Sequence, residues 1–432
     1  MKKLVVKKGE ELSAAKILSN RTDEDFDAVD ATVKEVIAKV RAEGDAALHY
    51  YSEKFGGPGK DAVGDLRVSE AELEEAYNSV EPEVIAALEV AAENIRSFHE
   101  KQLQNTWSYT KGEDIMLGQL ILPIQNAGVY VPGGTAAYPS SVLMNVIPAK
   151  IAGCERIVMC TPAGKDGKIS KYILAAAKIT GADEIYKTGG AQAIAAMAYG
   201  TESIQPVNKI TGPGSAFVAR AKKYVFGTVD IDMIAGPSEV CIVADRTGDP
   251  AFIAADMLSQ AEHDKMASSI LITDSAEIAE QTEKELKKQL AALDRLEIAS
   301  ASIENNAAIF VTEDLDSAMV IANDIAPEHL ELMIEHPKEY LGKVRAAGAV
   351  FLGKYAPEPL GDYVAGPNHT LPTSGAAKFA SPLGVYDFLT KTSIIQYSYE
   401  DLKGVKDEIV RISDKEGLTA HGNAIKIRFG EL

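Results

Sequence analysis

Four short segments in the second half of the chain carry the side chains best suited to chemistry. Of seven histidines, five (His263, His329, His336, His369 and His421) lie beyond residue 260. In DPAFIAADMLSQAEHD, Asp249 is the expected helix N-cap and Pro250 the first helical residue. Gln260 and His263 then fall three apart near the helix C-terminus, on one face. There His263 reads either as a metal ligand or as a cation favoured by the helix dipole. In IAPEHLEL, Glu328 and His329 follow Pro327 at the start of an apolar strand-like run. Neighbours on a regular strand point to opposite faces, so both serve one site only if the backbone turns, and the proline makes such a turn plausible. Asp362 and His369 occupy the Gly/Pro-rich stretch GDYVAGPNHTLPTSG just past GAVFLGK, a strand-end loop of the kind where α/β proteins place binding residues. Glu416 and His421, in EGLTAHGNAIKIR, read on their own as solvent-facing residues of a last helix.

Each segment also has a plain reading, as a cap-like histidine, a surface glutamate or a surface loop. Together, a Gln oxygen, two imidazoles and a carboxylate suit zinc or a similar divalent metal. A set without thiolate is typical of a catalytic site with room for substrate. The spacings are irregular, and metal-site spacing alone does not assemble Gln260, His263, Asp362 and His421. GxGxxG and the P-loop pattern are both absent. Three glycine turns instead lead from a strand-like run into a helix, in GVYVPGGTAAYPSSVLMNVIPAKIAG, KTGGAQAIAAMAYG and ITGPGSAFVARAKKYVF. That arrangement brings backbone N–H groups and helix N-termini up to a phosphate, and three such turns in one module favour a ligand crevice over plain connections.

These segments need a scaffold. Residues 25 to about 105 space apolar residues helically, as in DAVDATVKEVIAKVRAEGDAALHYYSEKF, and form a helical shoulder. From Leu120 short β-rich runs (GVYVP, ERIVMCTP, DEIYKTGG, VNKITGPG, EVCIVAD) alternate with Ala-rich helices. Beyond residue 238 the alternation repeats, with strands SSILITD, AAIFVTED and GAVFLGK between the amphipathic helices EIAEQTEKELKKQLAAL, LDSAMVIANDIA and KEYLGKVRAAG. After Ser381-Pro382, SIIQYSYE leads to the helix DLKGVKDEIVRISDKEG and a last segment. The expected fold is α/β: two incomplete Rossmann-like modules with parallel sheets, an N-terminal helical region and a small C-terminal tail domain.

Composition narrows the function further. The 44 basic and 63 acidic residues leave a net charge of −19, which repels polyanions and works against nucleic-acid or anionic-membrane binding. A small metabolite is the expected partner. Cys154, Cys160 and Cys241 are too few and irregular for a disulfide framework, and none forms a CxxC pair. The longest uncharged stretch, Ile115 to Ala149, is broken by prolines and glycines and is no membrane helix, and the N-terminus has no signal-peptide core. A cytoplasmic location is expected.

In order along the chain, NAGVYVPGGTAAYPSS, GGAQAIAA, IDMIAGPSE, LSQAEHD, APEHLEL, GDYVAGPNHTLPT and LTAHGNAIKIR resemble the histidinol dehydrogenases, over nearly everything beyond residue 25. That family oxidises L-histidinol to L-histidine with two NAD. The resemblance implies one zinc held by Gln260, His263, Asp362 and His421, and an acid/base pair in Glu328 and His329. It implies that Ser238, His369 and Glu416 contact substrate together with those six, and that Tyr130, Gln192 and Ser215 contact NAD. The family usually has Asn after GPG, and Ser215 is a shorter residue with a single hydroxyl. The resemblance also implies a homodimer whose sites draw Glu416 and His421 from the partner. The corresponding division is an extension (1–24), an α/β domain from 25–129 and 239–381 carrying the metal and catalytic residues, an NAD-binding α/β domain (130–238) and the tail (382–432).

The implied chemistry agrees with the residues. Oxidising a primary alcohol to a carboxylate takes two hydride transfers with water added to the aldehyde between them. His329, with an ordinary pKa near ~6.5, can accept the alcohol proton, and Glu328 can activate the water. Zinc would chiefly bind the amine and imidazole of histidinol. Three rivals stand beside this reading: an NAD-dependent dehydrogenase of another small alcohol, a thiol-based aldehyde dehydrogenase, and a zinc-binding interaction protein without catalysis.

Overall fold

A computed structural model describes residues 1–16, 26–112, 114–133 and 137–431. Most of the second half of the 1–24 extension, and residues 134–136 of the first glycine turn, lie outside the described residues. The chain forms two compact units, one from residues 1–102 and 124–388, the other from residues 103–123 and 389–432. Among the described residues no helix is long and apolar enough to cross a membrane.

The larger unit is α/β and contains two parallel sheets. The first orders its six strands Lys2–Val5, Ala308–Val311, Ser268–Thr273, Glu239–Ala244, His329–Met333, Ala349–Leu352. Every residue of Glu239–Ala244 and of Ser268–Thr273 is buried. Parallel strands covered by helices on both faces are written as unbroken apolar runs, which is why EVCIVA and SSILIT were readable. The second sheet orders five strands Glu184–Lys187, Arg156–Thr161, Asn126–Tyr130, Lys209–Thr211, Asp230–Ile231. Its chain order reverses between Asn126–Tyr130 and Lys209–Thr211, and such a switch point opens a crevice at the carboxyl ends of the strands.

The helical shoulder serves both sheets. The helix Asp27–Glu43 packs Val33, Val36, Ile37 and Val40 into one core with Ile194, Met197, Val218 and Val225 of the five-stranded module. Farther on, Asn94 and His99 of the helix Pro82–His99 reach the stretch between Val364 and His369: Asn94 Nδ2 donates to Val364 O (2.8 Å), and His99 Nε2 lies 3.3 Å from Asn368 Nδ2.

The smaller unit pairs the strands Trp107–Lys111, Ile115–Pro123 and Leu389–Gln396 in an antiparallel sheet. The helices Tyr399–Gly404, Lys406–Lys415 and Thr419–Lys426 follow, the first closed by a capping box of Ser398 and Asp401. Two strands of this unit precede the first parallel module in sequence, so the tail is not one continuous segment.

Candidate active site

The site is built at the amino ends of three neighbouring strands of the six-stranded sheet, not in the carboxyl-end crevice usual for such folds. The helix Leu315–Ile325 stops on Ala326, whose φ of 50° and ψ of 62° lie in the left-handed region. The turn ahead of Glu328 is therefore made one residue before Pro327. Two backbone bonds fix the next residues: Gly348 N–H donates to Pro327 O (2.9 Å) and Ala349 N–H to Glu328 O (2.8 Å). Glu328 and His329 are both buried, and their side chains meet, with His329 Nδ1 3.7 Å from Glu328 Oε2.

Both are anchored on Glu239. Glu328 Oε2 accepts the Glu239 N–H (2.9 Å), and His329 Nδ1 lies 3.0 Å from the Glu239 carbonyl oxygen. A carbonyl only accepts, so Nδ1 carries the proton and Nε2 presents a lone pair. That Nε2 is buried without a hydrogen-bond partner among the described residues, 3.9 Å from Asp362 Oδ1. Burial pulls the His329 imidazole down to about 3, so it is neutral at pH 7, and burial pushes the Glu328 carboxyl well above the usual range, with Glu239, Asp362 and Glu358 adding to it.

Beside this pair, His263, Glu358 and Asp362 each turn one ligand atom toward a common point, all within 4.8 Å of one another. Gln260 lies in the last turn of the helix Pro250–Ala261, capped by Asp249 as expected. His263 is not on that helix: it sits two residues past it, exposed, its N–H donating to Gln260 O (3.2 Å). The tightened turn still keeps the two residues at one end of the helix. Gln260 is 1% exposed and its Oε1 has no partner among the described residues, a buried acceptor that costs roughly 1–3 kcal/mol if left unmet. Asp362 is on a short helix, Glu358–Tyr363, rather than in a loop.

Glu358, four residues before Asp362, was missed by the sequence reading, although the i, i+4 spacing in EPLGD is a signal that could have found it. It is 2% exposed; its N–H donates to Glu331 Oε1 (2.8 Å) and its Oε2 accepts from Ser259 Oγ (3.1 Å). Burial, with Asp362 beside it, lifts the Glu358 carboxyl to about 8, and burial lifts Asp362 to about 6. A divalent cation against the Glu358 and Asp362 oxygens would reverse both shifts, and an imidazole with two carboxylates suits a metal of the zinc class.

His369 is on the same side. Its Nδ1 lies 3.0 Å from the Asp362 carbonyl oxygen, which again leaves Nε2 as the presented atom, and burial lowers its pKa to about 4. The neighbouring Asn368 holds this loop on the other module: its Nδ2 donates to Met144 O (2.6 Å) while its Oδ1 accepts the Thr370 N–H (2.8 Å). Ser238 is half-buried immediately before Glu239. Glu416 and His421 are exposed residues of the smaller unit, Glu416 capping Lys406–Lys415 and His421 inside Thr419–Lys426.

The three residues expected to contact NAD lie at or beyond the carboxyl ends of parallel strands of the five-stranded sheet. Tyr130 ends its strand, and its hydroxyl accepts the Gly190 N–H (3.0 Å). Gln192, in the first turn of Gly190–Tyr199, is buried, and its Oε1 has no partner among the described residues. Ser215 is the exposed N-cap of Ala216–Val225, and its hydroxyl makes no capping bond. The thiols are placed against catalysis: Cys154, Cys160 and Cys241 are all buried, and burial pushes Cys154 up to about 12 and raises Cys160 as well.

Residues 19–429 match the family profile described as histidinol dehydrogenase. Proteins named histidinol dehydrogenase from Bacillus thuringiensis subsp. konkukian and Listeria monocytogenes serotype 4b are 53% identical over 420 residues and 55% identical over 403 residues. The first alignment covers 97% of each chain and the second 93%. The crystal structure of histidinol dehydrogenase from Elizabethkingia anophelis superposes with a TM-score of 0.92 at 38% identity, covering 100% of this chain and 98% of that one. Matched along almost its whole length, this chain belongs to the histidinol dehydrogenase family.

Proposed function

We propose that the protein oxidises L-histidinol to L-histidine through bound histidinal, in two NAD-linked steps at one zinc centre. The observation that carries this reading is the His329 side chain, its Nδ1 proton committed to the Glu239 carbonyl and its unpartnered Nε2 facing Asp362. Bound by Gln260, His263 and Asp362, with His421 supplied by a partner subunit, zinc would grip the amine and imidazole of histidinol and polarise the reacting oxygen.

His329 Nε2 takes the alcohol proton as the carbinol hydride leaves for NAD, a co-substrate used in each step, giving the aldehyde. Glu328 then removes a proton from the water that adds to the aldehyde. Once His329 Nε2 has released its first proton to solvent, it takes the proton of the hydrate as the second hydride leaves for a second NAD, giving the carboxylate. Ser238, His369 and the partner's Glu416 complete the substrate contacts, a carboxylate for the ammonium and an imidazole for the ring. Tyr130, Gln192 and Ser215 hold NAD at the carboxyl edge of the five-stranded sheet, in a module of residues 130–238 together with the rest of the strand Asn126–Tyr130. At position 215 the shorter hydroxyl replaces the family's usual amide contact.

A homodimer is supported by the smaller unit, which leaves Trp107, Tyr109, Ile395, Ile412 and Ile427 more than half exposed. Three buried thiols suit a reducing cytoplasm. The test is the rise of NADH absorbance on adding histidinol, with and without a chelator. Two NADH per histidinol, lost on chelation and restored by zinc, is the expected result. One NADH per substrate, or turnover unaffected by chelation, contradicts the reading.

A further inference from the structure

The five-stranded module contains a fully buried ion pair that this chemistry does not use. Lys222, inside the helix Ala216–Val225, and Asp232, just past the last strand, each have a side chain 1% exposed, with Nζ 2.6 Å from Asp232 Oδ1. Around Lys222 the helix contributes Val218, Ala221 and Val225 to an apolar core, so a methionine or leucine would fill the position. A buried ion pair is weak evidence for stability, since taking two charges out of water costs about what their attraction returns.

The pair holds both polar backbone groups of one residue. Lys222 Nζ donates to Gly212 O (2.9 Å), and Asp232 Oδ2 accepts the Gly212 N–H (2.8 Å). Asp232 Oδ1 also accepts the Met233 N–H (2.6 Å). Gly212 is where the chain leaves the strand Lys209–Thr211, at the switch point of the sheet. Its φ of 117° admits little but glycine, and a side chain there would strike the backbone of Tyr130. Three residues on, Ser215 opens the helix with its hydroxyl uncommitted, and Gln192 Oε1 is buried unpartnered on the same edge.

We propose that Lys222 and Asp232 are positioning residues for the dinucleotide: from behind the sheet they clamp the Gly212 peptide and so set where the Gly212–Ser215 turn meets the cofactor. This rests on the reading that NAD lies at that edge. The clamp touches no reacting atom, and its loss weakens cofactor binding while the histidinol end of the site stays as it was.

The test uses the full-length zinc-loaded protein and reads NAD affinity directly, by titration in the absence of histidinol. Lys222→Met and Asp232→Asn are each expected to weaken NAD by about tenfold, the scale of a displacement of a few tenths of an ångström. Zinc content and the KM for histidinol stay within about twofold. Val225→Ala, fully buried on the same helix but away from the turn, is the control for mere loosening. It is expected to lower the melting temperature and leave NAD affinity alone. Should Lys222→Met fail to fold, Asp232→Asn, which keeps the volume and turns at most one acceptor into a donor, decides alone. Gln192→Leu checks the underlying reading. If it weakens NAD and the clamp variants do not, or if Val225→Ala weakens NAD as much as they do, the clamp is wrong. If none of the four changes NAD affinity, the cofactor lies elsewhere and both readings fall.

Discussion

Replacing Gly348 by alanine probes how closely Glu328 is held. Gly348 precedes the strand Ala349–Leu352, and its φ is not in the left-handed region, so the backbone itself accepts alanine and the whole penalty is steric. An added Cβ would lie 2.5 Å from Glu328 O, with Leu371 Cβ at 3.2 Å on its other side. Reaching even a tight contact of 3.0 Å requires a movement of 3.0 − 2.5, about 0.5 Å, and an ordinary 3.4 Å requires about 0.9 Å. The Glu328 carbonyl is bonded to Ala349 N–H, so the strands cannot part freely and the movement passes to the residue itself. Overpacking of this kind costs about 1–3 kcal/mol of stability. At about a hundredfold in rate per ångström of misplacement, a shift of 0.5 to 0.9 Å lowers kcat about 10- to 60-fold. Turnover followed by NADH absorbance, with zinc content and melting temperature on the same preparations, reads the effect. Gly342→Ala, where an added Cβ meets nothing within 4 Å, is the silent control. A Gly348→Ala protein that keeps kcat within about twofold of the parent would refute the claim that this backbone contact sets the position of Glu328.

Three further outcomes follow from the same geometry. His263→Ala should lose most of its zinc by metal analysis, since His263 is the one imidazole among the three ligand groups gathered in the larger unit; undiminished zinc removes it from the shell. Glu328→Gln should impair oxidation of supplied histidinal more than the first alcohol oxidation, whereas His329→Gln should slow both; equal losses in both half-reactions for both variants contradict the assigned roles. Iodoacetamide should leave turnover within about twofold of the untreated protein, because all three thiols are buried and burial raises Cys154 and Cys160, and rapid stoichiometric inactivation would revive a thiol mechanism.

The parts legible in the sequence were those whose signal is local. Parallel strands buried on both faces spell unbroken apolar runs, and the Asp249-Pro250 start announced the helix carrying Gln260. Elements formed by distant pairing were not legible. Lys2–Val5 is an edge strand only because Ala308–Val311 accepts it, and its mostly exposed residues carry no core pattern. Of the antiparallel sheet only the strand-like run SIIQYSYE, overlapping Leu389–Gln396, was legible; Trp107–Lys111 has every residue exposed, and Ile115–Pro123 finds its second neighbour far along the chain. In the site, side-chain chemistry nominated Asp362 and His263, but the backbone that brings them together is irregular: a six-residue helix and a turn beyond a helix end. Glu358 belongs to the same short helix, where its i, i+4 spacing to Asp362 was the one local signal available.

The assignment of Glu416 and His421 is the step that reaches across chains, and it separates cleanly from its alternative. Both residues are exposed on a unit with few buried side chains of its own, which suits an arm that completes its environment against a second copy. If the arm crosses, one site of a mixed dimer combines the body of one chain with the arm of the other. Refolding His263→Ala together with His421→Ala, each inactive alone, then gives heterodimers in which one site collects both lesions and the other collects neither. With random pairing about half the dimers are mixed and half of their sites are intact, so about a quarter of parental activity should return. An arm that serves its own chain leaves one lesion in every site, and no pairing restores activity. Heterodimers verified by differential tags and still inactive would therefore assign both residues to their own chain.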